Sequence, residues 1–116
     1  MFAAHHKLDN LVAIVDYNKL QSLTTVEKTL GIEPLVDKFK AFGWSVMEVD
    51  GHNTKAIEEI LLTAAWEKGK PSVLIAHTVK GKGVSFMENS VEWHYKSPNA
   101  DELKKALTEI KEYKDA

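Results

Sequence analysis

The sequence has no cysteine, which excludes disulfides, thiolate zinc sites and cysteine nucleophiles and fits a reducing compartment. It has almost no net charge. Fifteen Lys and Arg against seventeen Asp and Glu leave −2, so no long-range field favours nucleic acid or an acidic membrane surface. No apolar run reaches membrane-spanning length. The start, MFAAHHKLDN, lacks a basic segment followed by an apolar core, so a signal peptide is not expected. These absences point to a cytoplasmic protein with neither nucleic acid nor membrane as partner. No internal repeat, low-complexity segment or interdomain linker divides the 116 residues, which suit one small domain.

Three continuous apolar runs are present: LVAIVD (Leu11 to Asp16), WSVMEV (Trp44 to Val49) and SVLIAH (Ser72 to His77). Each is rich in branched residues and ended by polar ones, the pattern of strands buried on both faces of a parallel sheet. Helical patterns separate them. Pro34 stands in the first turn of one, with Leu35, Val36, Phe39 and Phe42 on one face and Gly43 ending it. Asn53 caps a second, whose Ile57, Ile60, Leu61, Ala64 and Ala65 form an apolar stripe. A third starts at Asn99, carries Leu103, Leu107 and Ile110 toward the core, and runs to about Tyr113. The alternation predicts an α/β three-layer sandwich with a short, mainly parallel sheet and helices on both faces. FAAHHKL reads as the last turns of a helix feeding the first strand. The two long connections, residues 17–32 and 78–98, both leave carboxyl ends of strands and are expected on one rim, where α/β sheets bind ligands.

From the residues alone, several roles stay open. Asn18 at a strand end suits either a turn or an oxygen ligand. Gly81-Lys82-Gly83 suits either a plain turn or an anion cradle, though it is no P-loop, lacking Gly-Lys-Ser/Thr and a following helix. Lys80 and Lys82 read as solvated. His94, between Trp93 and Tyr95, suits proton transfer or phosphate contact near neutrality, since an ordinary imidazole titrates near pH 6.5. It suits interfacial packing equally well. His5, His6, His52 and His77 read as local or structural, and no pair has persuasive metal-site spacing.

Three dispersed stretches, LDNLVAIVDYNKLQ, AFGWSVMEVDGHN and PSVLIAHTVKGKGVSFMENSVEWHYKSP, together resemble the thiamine diphosphate-binding domain of transketolase. They occur in the family's order and cover nearly the whole chain. The resemblance implies that Asn18 and the Leu20 carbonyl help to hold a magnesium or calcium ion bridging the cofactor's phosphates. It implies that His94 contacts the diphosphate and the substrate. Gly81 and Gly83 match the glycines that let the loop fold over the cofactor side. The family's Gly-Asp-Gly, whose aspartate completes the metal site, is not in the sequence. Nor is the family's second domain, which activates the thiamine ring. Residues 1–116 are therefore expected to be one partial domain, the C-terminal part of such a cofactor domain.

The implied reaction is two-carbon ketol transfer between sugar phosphates, with the chain inactive alone. The alternative is a non-catalytic binding or assembly module derived from a truncated transketolase domain. A homo-oligomer, joined near residues 2–16, or a complementing transketolase chain is the expected assembly.

Overall fold

The computed structural model describes residues 1–62 and 67–114. The elements run α1 (Phe2–His5), β1 (Val12–Tyr17), α2 (Val26–Thr29), α3 (Leu35–Ala41), β2 (Ser45–Asp50), α4 (Thr54–Leu62), β3 (Ser72–His77) and α5 (Ala100–Lys114). A single turn of 3₁₀ helix, Glu92–His94, precedes α5. The chain forms two compact units. The first comprises residues 1–17 and 31–78, the second residues 18–30 and 79–116.

The first unit is built on a three-stranded, wholly parallel sheet in the order β1-β3-β2. The register is regular: Ser72 of β3 lies opposite Val12 on one side and Ser45 on the other. Only β3 is buried along its length, with Val73, Leu74 and Ile75 at 0–1% exposure. The expectation that all three strands are buried on both faces is corrected here. β1 and β2 are the edge strands, and Ile14 and Met47 are 57% and 41% exposed. An apolar run marks a strand but does not say whether neighbours flank it on both sides. Asn53 caps α4 as expected, its Oδ1 accepting a hydrogen bond from the Ala56 amide at 3.0 Å. Ala64 and Ala65 of the predicted α4 stripe lie outside the described residues. Pro34 is the cap of α3 and not a residue of its first turn. Gly43, at φ +86°, ends that helix; a Cβ there would stand 3.2 Å from Ala4 Cβ of α1.

The strand ends of this unit are tied by polar side chains. Thr78 donates its hydroxyl to Asp16. Tyr17, buried at the end of β1, donates to Glu33 Oε1 at 2.6 Å. That bond, with burial and the adjacent negative charge, pushes the phenol's pKa up to about 12. The other Glu33 oxygen accepts from the Leu35 amide, so this carboxylate joins β1 to the start of α3.

In the second unit, α5 opens on a reciprocal cap. Asn99 Oδ1 accepts from the amides of Asp101 and Glu102, and Glu102 Oε2 accepts from the Asn99 amide at 2.8 Å. Ala106 of α5 is buried, as are Val26 and Val84. The stripe of Leu103, Leu107 and Ile110, expected in the core, is instead 47%, 60% and 38% exposed. The helix period is as predicted, but no described residue covers that face enough to bury it.

Candidate functional site

Asn18 begins the second unit directly after β1. Its Oδ1 accepts the Leu20 amide at 2.9 Å, closing an Asx turn over Lys19, whose backbone is left-handed at φ +62°. Leu20 then pairs with Thr25 across an antiparallel bridge, and the Gln21 amide donates to the Thr24 carbonyl at 2.7 Å. The chain thus doubles back within a few residues and enters α2, capped by Thr25. The residues alone suggest only a loop over this stretch, so α2 is an addition. Its signal is nevertheless present, since a threonine before Val-Glu-Lys is a standard helix start.

The connection after β3 is tightly folded. Gly81, at φ +76°, lies so close to Met87 that a Cβ would sit 2.5 Å from the Met87 carbonyl oxygen. The Asn89 amide donates to the Lys80 carbonyl at 2.9 Å and closes the loop there. The Gly83 amide is already engaged by Glu88 Oε1 at 3.1 Å, with Lys82 beside the same carboxylate at 3.8 Å.

These two segments meet around a hollow of about 170 Å³ lined by Asn18, Leu20, Gln21, Ser22, Lys80 and His94. Three of the sequence-predicted site residues, Asn18, Leu20 and His94, are therefore brought together. Gly81 and Gly83 are not among the lining residues. Gly81 shapes the turn that follows Lys80. Lys80, read as solvated, is half-buried and forms part of the wall of this hollow. A lysine in a glycine-rich loop carries no mark of its direction, so only the folded loop identifies it.

The described lining has no carboxylate. It offers an ammonium, an imidazole, a hydroxyl and two carboxamides, a donor-rich set suited to a phosphate or diphosphate. A divalent cation is a poorer match. Magnesium and calcium prefer several oxygen ligands, carboxylates among them, whereas Asn18 and Leu20 supply two neutral donors. Among the described residues no group of three His, Asp or Glu side chains is placed to hold a metal. The residues present fit the diphosphate end of a thiamine cofactor and do not by themselves make a metal site.

A family model described as transketolase, thiamine diphosphate binding domain, matches residues 1–112. The chain belongs to that family. One similar curated protein is an apulose-4-phosphate transketolase subunit from Phocaeicola vulgatus. It is 41% identical over 112 residues, covering 97% of this chain and 40% of the relative. Among solved structures, transketolase from Campylobacter jejuni superposes with a TM-score of 0.84 at 30% identity, over 94% of this chain and 17% of that one. Transketolase from Pichia stipitis in complex with sedoheptulose 7-phosphate gives 0.83 at 26% identity, over 94% and 16%. The chain thus spans about two-fifths of the length of that curated relative. The family's fold is the α/β arrangement found here. No described helix is long and apolar enough to cross a membrane.

Proposed function

We propose that this chain supplies part of the cofactor site of a transketolase-type enzyme that moves a two-carbon ketol unit between sugar phosphates. The observation that carries the reading is the meeting of Asn18 and Leu20 with Lys80 and His94 around one hollow without carboxylates. Residues 1–116 correspond to the later part of a thiamine diphosphate-binding domain. Lys80 and His94 hold the diphosphate, and His94 also faces the sugar phosphate, where it can donate or hold a proton. Gly81 and Gly83 let the loop fold against the cofactor side. When bound, thiamine diphosphate supplies the electron sink for breaking and making the carbon–carbon bond.

Asn18 and Leu20 would offer only two neutral oxygens to a magnesium or calcium ion, so its carboxylate ligands would have to come from elsewhere. A complementing transketolase chain is the partner we favour. The curated relative is itself named as one component of a transketolase, and a second copy of this chain would bring only the same two neutral donors. The chain alone is then inactive, and the cytoplasm is the compartment where sugar phosphates would be met.

Isothermal titration of the full chain tests this. Thiamine diphosphate and inorganic pyrophosphate should bind, and thiamine without its diphosphate should not. His94→Ala and Lys80→Met should each weaken binding about tenfold or more, because a hydrogen bond to a charged group contributes roughly 1.5–3 kcal/mol. Equal binding of thiamine and its diphosphate, or no heat with either phosphate compound, would overturn the reading. The absence of binding would favour the alternative, a non-catalytic assembly module.

A further inference from the structure

His94 belongs to no long element. It ends one turn of 3₁₀ helix inside the connection between β3 and α5, and its own ring touches Tyr95 edge-on at 4.6 Å. What fixes that turn lies two residues further on. Lys96 Nζ stands 4.3 Å from the centre of the Trp93 ring and 2.9 Å from Glu102 Oε1. Glu92 Oε1 approaches the same ammonium at 3.5 Å. Trp93 in turn meets Phe86 edge-on at 5.2 Å, and Lys105 of α5 lies over the far partner, 5.2 Å from the Phe86 ring centre. Glu102 has its second oxygen committed to the Asn99 amide, within the cap of α5. A continuous chain of contacts therefore runs from the first turn of α5 through Glu102, Lys96 and Trp93 to the residue before His94. The lysine ammonium is held above its ordinary pKa, chiefly by the Glu102 bond, against desolvation in the other sense, and further by the charges of Glu102 and Glu92.

We infer that Lys96 is a positioning residue: it clamps Trp93 to the capped end of α5 and so fixes where the His94 imidazole points. The inference rests on the reading of His94 as a site residue, and it gives α5 a task beyond packing. Both contacts are made by the Lys96 ammonium, which has three N–H donors and can give one to Glu102 while its charge lies over the Trp93 ring. A second, purely aromatic and cationic route from Trp93 to α5 runs through Phe86 and Lys105, and it does not involve Lys96.

The test uses the isotopically labelled full chain in solution. Lys96→Met keeps the aliphatic stem and removes the charge. The backbone order parameters of Trp93, His94 and Tyr95 should fall from near 0.85 toward about 0.6 or below. The His94 ring resonances should move and broaden, while the helical circular dichroism of α5 is kept by the Asn99–Glu102 cap. Lys96→Arg should restore both signals. Glu102→Gln is the second variant; a glutamine still closes the helix cap but loses the charge that holds the lysine. It should reproduce the Lys96→Met spectrum at His94, and this keeps the test open if Lys96→Met fails to fold. Unchanged order parameters and ring shifts in a folded variant would overturn the inference. A pyrophosphate titration run in parallel separates the two claims: no binding by the parent chain would sink the cofactor reading, while the relaxation data would still decide the role of Lys96.

Discussion

β3 and the connection that follows it, residues 79–98, are fixed by different forces. β3 has ladder partners on both sides and five consecutive residues, Ser72 to Ala76, at 5% exposure or less. Burial there is worth roughly 1.5–3 kcal/mol for each large apolar side chain. The connection has one buried apolar residue, Val84, and is otherwise tied by hydrogen bonds and ion pairs near the surface. Exposed pairs of that kind contribute about 0–1 kcal/mol each. The scaffold strand is held by bulk burial, and the site loop by many weak, specific ties. A loop held in that way can lose its geometry while the sheet stays intact.

The largest break in the comparison comes from the sheet. Leu74→Ala removes a side chain with no exposure from the central strand. The cost should be about 2–5 kcal/mol, the range for deleting a leucine side chain in a packed core. Urea unfolding should show a lower midpoint with an unchanged slope. A loss below about 1 kcal/mol would mean that β3 is less packed than its burial indicates.

The same contrast governs what could be read from the residues. Ser72 to His77 was legible to the residue, because a continuous branched run bounded by Pro71 and Thr78 has few other meanings. The order β1-β3-β2 was not legible, because an edge run such as LVAIV looks like a central one. The polar ties were legible only where they are local: Asn53 and Asn99 cap helices three residues away or nearer. Ser85 with Glu109, and Lys96 with Glu102, depend on how the loop returns to α5. Those pairs follow no period, so the sequence held no signal for them. Lys80 is the clearest case. Its neighbours Gly81 and Lys82 mark a turn, but its place beside Asn18 and His94 exists only after the loop has closed through Asn89.

A smaller effect should come from Gly81→Ala. The left-handed conformation costs an alanine roughly 1–2 kcal/mol. The added Cβ also meets the Met87 backbone at 2.5 Å, which cannot rotate away as a side-chain tip would. The loop must open, and amide exchange at Lys82, Val84 and Asn89 should accelerate. The β3 amides should keep their protection if the two regions are held independently. Equal acceleration in both would show that the loop and the sheet open as one cooperative unit.

The smallest expected effect is set by pH and concerns Glu109. Its two oxygens accept from the Ser85 amide at 2.5 Å and the Ser85 hydroxyl at 2.8 Å, with Lys105 nearby at 3.7 Å. The Ser85 amide bond first and then the Ser85 hydroxyl hold this carboxyl below the usual glutamate range, against an opposing desolvation, with Lys105 adding a lesser pull in the same direction as Ser85. A carboxyl whose pKa is lower in the folded state stabilises that state above its unfolded pKa, and the contribution fades as pH falls through the folded value. The tie should therefore be complete at neutrality and weaken in mild acid, near and below the ordinary glutamate pKa of about 4.3. Between about pH 6 and 3.5, a window spanning that ordinary value, the Ser85 amide resonance should move and its exchange protection should drop. Glu109→Gln should show the weakened state at every pH and flatten that transition. An acid transition at Ser85 that persists unchanged in Glu109→Gln would assign it to another carboxyl, with Glu102 at the cap of α5 the next to substitute, since its pKa is lowered as well. Because the group lies near the surface, added salt should weaken the Lys105 part of the effect and leave the Ser85 bonds. That difference separates a charge pair from a hydrogen-bonded clasp.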